Sequence, residues 1–400
     1  MTNSGERAIF LEATPAEIIA LLEDEKGVAT ACKATEGWAK ARRFEDLTLL
    51  ARSLESQCDP TDTTRRGWFE TVVDHVEDQL ALSSEDDAVD ALLALSLEAR
   101  ERSVTVPRDR SLRLRAFASR LGYGQPVDGF LRALEQAGDR AEHQELLACW
   151  MHEVVLRGSS LETDARATRM REVLARAGHP LAGLPLSLLP TECEVPSYMP
   201  LYGEKGLGRA IETLTSGPMS VRTIPPPADG ASVRAQSLDE PAVIERLSLA
   251  VRPWAEGSNG KIEAKVFSLF PAVSDAELGR WLVRALPLES TKAAAQMDVS
   301  QTGPEGVFGP LFSAASNGGA YSSGRGGAYG RLAAWTSLGA LVGAAASADI
   351  RAIEERAASS AFLVFSAPGP WFHDVAWDLG VLALRPGGAS VAVLAATDTD

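Results

Sequence analysis

The sequence predicts an α+β protein in which an all-helical N-terminal array is followed by a mixed α/β domain that ends in a β-hairpin. Three observations support this prediction. Apolar residues recur at helical spacing before residue 178, prolines interrupt the chain after it, and two apolar runs flank a glycine pair near the C-terminus. The predicted parts are a helical array over 1–178, a proline-rich linker over 179–240 and an α/β domain over 241–400. A chain of 400 residues is long enough for more than one core.

The N-terminal helices are predicted from caps and apolar stripes. Thr14, Pro15 and Glu17 match a capping box with proline at the first helical position, which predicts the start of the first helix. Apolar residues with a helical period predict further helices from Trp68 onward and over Phe44–Gln57, Ser84–Leu97, Ser111–Leu121, Val127–Ala137, Ala141–Leu156 and Asp164–Ala177. Stacked helical hairpins bury such stripes, and helical arrays commonly bind proteins through a groove.

The α/β domain is predicted from mixed periods. Only a short helix over Leu207–Leu214 is expected within the linker. Beyond the linker, strands are expected over Lys261–Phe270 and Phe362–Phe365, and helices over Pro241–Val251, after the cap formed by Ser274 and Glu277, and over Arg331–Ala346 and Asp349–Ala358. The Arg331–Ala346 helix carries Gly339-x-x-x-Gly343 but is too short and too alanine-rich to span a bilayer. We therefore expect it to pack on the C-terminal sheet.

The C-terminal hairpin gives the most detailed prediction. Apolar runs over Trp377–Arg385 and Ser390–Thr397 flank Pro386-Gly387-Gly388. A turn at the two glycines places Leu384 opposite Val391 and Asp378 opposite Thr397. Alternation along these strands makes both faces of the hairpin apolar. The hairpin must therefore be covered on both sides by other layers of the protein.

Composition restricts the classes of partner and compartment. The formal net charge of −15 disfavours binding to nucleic acid or to an anionic membrane. The first twenty residues lack a long apolar run, so we expect no secretory signal. The four cysteines show no metal-binding spacing and are expected to be reduced thiols. These features predict a cytoplasmic protein.

A glycine-rich stretch before the Leu332 helix is the first candidate site. Ser322–Arg331 contains Gly324, Gly326 and Gly327, and glycine-rich backbone that leads into a helix can present amides to a phosphate. Arg325 and Arg331 would then contact the anion. The alternative is a mobile loop or close helix packing.

Acidic residues at the open end of the hairpin form the second candidate site. His373, Asp374, Asp378, Asp398 and Asp400 can hold a hard cation or supply acid and base groups. Strict alternation argues against one shared site, because it directs Asp378 and Asp398 to opposite faces. The alternative is a polar strand end whose aspartates accept hydrogen bonds from neighbouring backbone amides.

The remaining motifs provide no decisive catalytic signature. The basic stretch Arg108–Arg120 suggests contact with RNA or an acidic protein, although a solvated helix face paired with acidic residues is favoured. Ser258-Asn-Gly-Lys261 matches S-x-x-K only by letters, because it lies in a turn before a strand. The five histidines have no ligand spacing, so no metal site is predicted and no cofactor is assigned.

Parts of the C-terminal sequence resemble a known family. The stretches Asn317–Tyr321, Gly327–Trp335, Trp377–Gly380 and Ala395–Asp400 are similar to an actinobacterial family of unknown function, over about the last 150 residues. The resemblance implies no activity. It does imply that the glycine-rich stretch and the acidic end belong to one module.

Two functions follow from these observations. The favoured one is a cytoplasmic protein-interaction or scaffold role, in which the helical array presents a groove to a protein partner. The alternative is an enzyme or a small-ligand binder, for an anion or nucleotide, that uses the glycine-rich stretch and the acidic end. Contact between these two regions around a closed pocket would favour the alternative.

Overall fold

The computed structural model describes residues 12–59, 61–96, 110–137, 140–202, 233–238, 240–372 and 377–399. The predicted helix over Leu207–Leu214 lies outside these ranges. The chain divides into two compact units. The first unit contains the described residues up to Val154 and the segment Thr163–Leu174. The second unit contains Val155–Glu162, Ala175–Leu201 and the described residues from 233 onward. Helices precede an antiparallel sheet along the chain, which confirms the α+β class.

Nine α-helices lie among the described residues before 177. They are α1 (Pro15–Ala20), α2 (Glu25–Lys40), α3 (Phe44–Gln57), α4 (Thr63–Leu82), α5 (Asp86–Ser96), α6 (Arg110–Gly124), α7 (Val127–Ala137), α8 (Gln144–Leu156) and α9 (Ala165–Arg176). The predicted capping box before α1 is present, because the Glu17 amide donates to Thr14 Oγ1 and the Thr14 amide donates to a Glu17 carboxylate oxygen.

Several N-terminal helices differ from the prediction by a few residues at their ends, and α4 and α2 differ most. Helix α4 begins at Thr63, five residues before the predicted start at Trp68, because the Asp62 carboxylate accepts a hydrogen bond from the Arg65 amide and caps the helix there. Helix α2 is absent from the prediction. Its buried residues are mainly small ones such as Ala31 and Ala34, and these were not recognised as an apolar stripe in the sequence.

The second unit contains a six-stranded antiparallel sheet. Its strands are β1 (Arg234–Ser237), β2 (Lys261–Phe270), β3 (Asp298–Thr302), β4 (Ala361–Ser366), β5 (Trp377–Leu384) and β6 (Ser390–Asp398), in the spatial order β1-β2-β6-β5-β4-β3. The prediction for β2 matches the observed bounds. The edge strands β1 and β3 were not predicted, because both are short and polar, as edge strands often are.

The hairpin prediction is confirmed in register and in burial. Leu384 pairs with Val391 and Asp378 pairs with Thr397. Gly387 and Gly388 connect the strands with φ angles of 85° and 69°, which glycine adopts without steric cost. One face of the hairpin joins an apolar core with residues such as Leu278, Leu282 and Met297. Apolar residues on the opposite face, namely Val381, Ala383, Ala392 and Leu394, are fully buried as well.

Helices cover that opposite face. The described α-helices of the second unit after residue 240 are α10 (Pro241–Ser248), α11 (Arg252–Glu256), α12 (Arg280–Ala285), α13 (Glu289–Lys292), α14 (Glu305–Asn317), α15 (Gly326–Leu341) and α16 (Ile350–Ala358). Helices α10 and α11 contact β2, and α15 contacts β6. The prediction that α15 packs on the C-terminal sheet is therefore confirmed.

Several of these helices differ from the prediction in their bounds. The predicted helix after Ser274 is a 3₁₀ turn over Asp275–Glu277 followed by the separate helix α12. Helix α15 begins five residues before the predicted Arg331 and ends at Leu341. Helix α14 is absent from the prediction, because its glycines and Pro310 are typical of loops.

The glycines of α14 and α15 permit close packing. A Cβ atom at Gly309 would lie 2.8 Å from the ring of Tyr198, which belongs to the 3₁₀ turn Val195–Tyr198. A Cβ atom at Gly330 would lie 2.8 Å from the Cβ atom of Ser316. Gly330 therefore permits close packing of α15 against α14, and Gly309 permits close packing of α14 against that 3₁₀ turn. Two further 3₁₀ turns, Pro180–Gly183 and Pro190–Glu192, lie within the predicted linker and contact α15 and α14, respectively.

Candidate functional site

The carboxylate of Asp398 lies at the centre of the candidate site. Asp398 is at the end of β6 and is only 1% exposed. Its Oδ2 atom accepts a hydrogen bond from the Ala320 amide at 2.7 Å. Its Oδ1 atom accepts from the Ser258 hydroxyl at 2.9 Å and from the Thr399 amide at 3.0 Å. For Asp398 this confirms the alternative of a strand-end aspartate that binds backbone amides.

The segment bound by Asp398 connects α14 to α15, and we call residues 318–325 the glycine loop. Its chain reversal begins at Gly318, which has a φ angle of 80°. The Gly318 carbonyl accepts a hydrogen bond from the indole of the buried Trp254, at 3.1 Å. Within the loop, the Gly319 amide donates to Ser322 Oγ at 2.9 Å. The loop is therefore anchored to α11 and also closed on itself.

Ser258 links the loop to the end of the sheet. Its hydroxyl donates to Asp398 and accepts a hydrogen bond from the Tyr321 amide at 3.2 Å. Two successive loop amides, those of Ala320 and Tyr321, are thus bound by Asp398 and Ser258. Such a pair of hydrogen bonds fixes both the position and the orientation of the loop.

Little free space separates the loop from the carboxylate. A Cβ atom at Gly319 would lie only 2.0 Å from Asp398 Oδ2. A Cβ atom at Gly257 would lie 2.8 Å from the Cβ atom of Ser322. The glycine loop and the acidic strand end are in direct contact, but their contact surface is filled by protein atoms.

Tyr321 is an exposed residue of this arrangement. Its backbone is held by Ser258, whereas the residue as a whole is 65% exposed. The site therefore presents an aromatic side chain to solvent from a loop whose backbone is bound on both sides.

The predicted anion loop, Ser322–Arg331, overlaps the end of the glycine loop and continues into α15. The Arg325 amide donates to the Ala315 carbonyl at 2.8 Å, and α15 begins at Gly326, which has a φ angle of 73°. A Cβ atom at Gly324 would lie 2.0 Å from the Ser316 carbonyl oxygen, and Gly327 is buried within α15. An anion-binding role for these residues remains a prediction.

Arg331 is directed into the protein interior. It is fully buried, and its Nε and Nη2 atoms donate to the Glu192 carboxylate at 2.6 and 2.7 Å. Its guanidinium also donates to the carbonyls of Pro185 and Ser187. The same carboxylate accepts from the Trp335 indole at 2.8 Å. A predicted anion contact is thus occupied by a buried carboxylate of the chain itself.

The remaining acidic candidates lie apart from Asp398 or outside the described residues. Asp378 pairs with Thr397, so it points to the opposite face of the sheet from Asp398, as alternation predicts. His373, Asp374 and Asp400 lie outside the described residues. Within the described part of the chain, no group of three or more His, Cys, Asp or Glu side chains is arranged to hold a metal ion.

The basic stretch in α6 is paired with acidic residues of neighbouring helices. Arg113 is only 8% exposed and forms ion pairs with Glu77 and Glu55, and Arg120 pairs with Asp78. Burial raises the pKa of Asp78 above its ordinary value, although Arg120 opposes that shift. The expected pairing with acidic residues is confirmed for these two arginines, but the Arg113 pair is buried rather than solvated.

Three residues of this region were not recognised as site residues from the sequence. Ser258 was noted only as the first residue of an S-x-x-K match, and that motif was rejected because the residue lies in a turn before a strand. Tyr321 belongs to the Asn317–Tyr321 stretch that resembles the family, which was its one available signal. Glu192 lies 139 residues from Arg331 in sequence, and no local pattern connects the two.

Comparison with known proteins identifies a family but no function. The sequence pattern of a family of unknown function, DUF6183, matches residues 29–400. This match extends far beyond the C-terminal stretches that carry the resemblance. No curated protein and no solved structure matches the chain. None of the described helices is both long and apolar enough to cross a membrane.

Proposed function

The chain belongs to this family of unknown function, and we propose that it acts by binding another protein through a surface that includes the glycine loop and Tyr321. The proposal is a protein-interaction or scaffold role. The observation that carries it is the buried Asp398 carboxylate, which holds the Ala320 amide while Tyr321 stays exposed.

Prior ordering of the loop supports the proposal. A loop that becomes ordered only on binding loses conformational entropy at that step, and this loss weakens the complex. The hydrogen bonds from Ala320 and Tyr321 to Asp398 and Ser258 order the loop before any partner arrives. A partner that contacts the loop therefore avoids most of this entropic cost.

The chemistry of Tyr321 also supports the proposal. Tyrosine combines a large apolar ring with a hydroxyl and loses little side-chain entropy on binding, so it is enriched among residues that dominate protein interfaces. The charged candidates Asp398 and Arg331 instead form hydrogen bonds with other residues of the chain, Ser258 and Glu192, respectively. This division of roles favours recognition over chemistry at the site.

We propose the cytoplasm as the location of this function. All four cysteines lie in the described part of the chain and all are free thiols. A reducing compartment maintains that state, which supports the proposed location.

Site-specific photocrosslinking tests the proposed function. Tyr321 is replaced by p-benzoylphenylalanine, and the full-length chain is irradiated in cells of its native host. We expect one dominant adduct with a second protein, because the aromatic probe takes the place of the proposed anchor. Mass spectrometry of that adduct identifies the partner.

A second exposed tyrosine provides the control. Tyr123 on α6 is 42% exposed and belongs to the first unit, whereas the glycine loop belongs to the second. The same probe at Tyr123 should not give this adduct. Absence of any adduct at Tyr321, or the same adducts at both positions, would contradict the proposed function.

A further inference from the structure

Three arginines converge on the C-terminal end of helix α15. Arg246 donates from Nη1 and Nη2 to the Ala344 carbonyl, each at 3.3 Å. Arg385 donates from Nε to the Leu341 carbonyl at 3.1 Å and from Nη2 to the Ala340 carbonyl at 2.9 Å. Arg356 donates from Nε to the Val342 carbonyl. All three guanidinium groups therefore lie around about one turn of the chain.

The positive charge at this end exceeds what the helix requires. The end of an α-helix carries the equivalent of about half a negative charge, whereas three guanidinium groups carry three positive charges. Within the described residues, none of these three arginines forms an ion pair with a carboxylate. Such an uncompensated basic cluster is unexpected in a chain with a net charge of −15.

Each arginine keeps donors that the helix does not use. In the described part of the chain, the hydrogen bonds of Arg356 engage only Nε, which leaves both Nη atoms for another acceptor. The hydrogen bonds of the Arg385 guanidinium use Nε and Nη2, so Nη1 can donate to another acceptor. The hydrogen bonds of the Arg246 guanidinium use Nη1 and Nη2, so Nε can do the same. Arg356 is exposed and the other two are partly buried, so solvent reaches the cluster.

Arg356 and Arg385 are close enough to repel each other. Burial is the main cause that lowers the pKa of Arg385, and the positive charge of Arg356 lowers it further. The close approach of Arg385 depends on Gly343, where the φ angle is 72° and a Cβ atom would lie 2.8 Å from Arg385 Nε. A bound anion would relieve this repulsion.

We propose that Arg246, Arg356 and Arg385 form a binding site for a phosphate-type oxyanion, either inorganic phosphate or the phosphoryl group of a small molecule. A doubly charged tetrahedral anion can accept from several guanidinium groups at once and offsets more of the excess charge than a carboxylate can. The site lies at the opposite end of α15 from the predicted anion loop, and it is independent of the proposed protein-binding role.

Thermal unfolding in phosphate tests the site. The full-length chain is heated in increasing sodium phosphate, with sodium chloride at matched ionic strength as the reference. At phosphate concentrations about tenfold above Kd, Tm should rise by about 3 to 6 °C relative to chloride. Glycerol phosphate is tested in parallel. A shift at least as large as that of phosphate assigns the site to a phosphoryl group, and a smaller shift assigns it to free phosphate.

Matched variants on α16 show whether the response arises at this cluster. Arg356→Gln should reduce the phosphate-dependent shift to about 1 °C, and it should fold because Arg356 is exposed. Arg351→Gln changes another exposed arginine of the same helix, which pairs with Glu162, and should keep the full shift. Equal shifts in phosphate and chloride, or an unchanged shift in Arg356→Gln, would overturn the proposal.

Discussion

Substitution of Glu192 by alanine should destabilise the second unit more than most single substitutions do. The Glu192 carboxylate accepts four hydrogen bonds: two from Arg331, one from the Trp335 indole and one from the Leu189 amide. Glu192→Ala would leave the fully buried Arg331 charge without this carboxylate, although the carbonyls of Pro185 and Ser187 would still accept hydrogen bonds from it. Removal of one partner of a buried ion pair costs about 3 to 5 kcal/mol.

Thermal unfolding followed by tryptophan fluorescence measures this effect. For a unit of this size, 1 kcal/mol corresponds to about 2 to 4 °C, so Tm should fall by about 6 to 20 °C. Glu355→Ala is the control, because Glu355 is an exposed residue on α16, and it should change stability by less than about 0.5 kcal/mol. The double variant Glu192→Met/Arg331→Met should recover much of the loss, since it removes both charges. A decrease below about 2 °C for Glu192→Ala would refute the reasoning.

Three further predictions concern the sheet, the glycine loop and pH. Leu382→Asp should prevent folding of the second unit, because it places an unpaired carboxylate in a fully buried strand, and an unchanged Tm would contradict this. Gly319→Ala should lower Tm by several degrees, because its Cβ atom would collide with Asp398, and a wild-type Tm would show that the loop adapts. The Asp164 carboxylate accepts hydrogen bonds from the first amides of α9 and from the Arg166 guanidinium. The hydrogen bond with the Arg166 side chain is the main cause that lowers the pKa of Asp164 from 3.8 to about 2. Its stabilising contribution should be present above pH 3.8 and lost as the pH falls through about 2, so urea unfolding of Asp164→Ala and the wild type should differ near pH 6 and converge near pH 2.

The sequence predicted those features that depend on local patterns. The hairpin register was predicted from a turn at two glycines between two apolar runs. Side chains alternate between the two faces of a strand, and the position of the turn then determines which residues of the two strands pair. The capping box at Thr14 and the bounds of α3 and β2 were predictable for the same reason. Each signal lies within a few residues of the feature that it specifies.

Features that depend on distant contacts were not predictable in this way. The roles of Arg331 and Glu192 depend on an ion pair between residues that are 139 positions apart in sequence. The glycine-rich sequence before Arg331 does not indicate that the Arg331 side chain is buried. Helix α14 was hidden because the glycines that permit close helix packing are also typical of loops. The alternation of side chains along the strands correctly predicted that Asp378 and Asp398 lie on opposite faces of the sheet. It does not predict that the Asp398 carboxylate accepts a hydrogen bond from the Ala320 amide.

Hydrogen exchange in the glycine loop tests the central claim that Asp398 orders the loop, directly through the Ala320 amide and through Ser258 at the Tyr321 amide. Overlapping peptides that cover residues 318–325 are followed by mass spectrometry in the wild type and in Asp398→Ala. The amides of Ala320 and Tyr321 should exchange slowly in the wild type, by at least about 100-fold relative to an unstructured chain, and should lose this protection in the variant. Rapid exchange of these amides in the wild type, or equal protection in both proteins, would contradict the account.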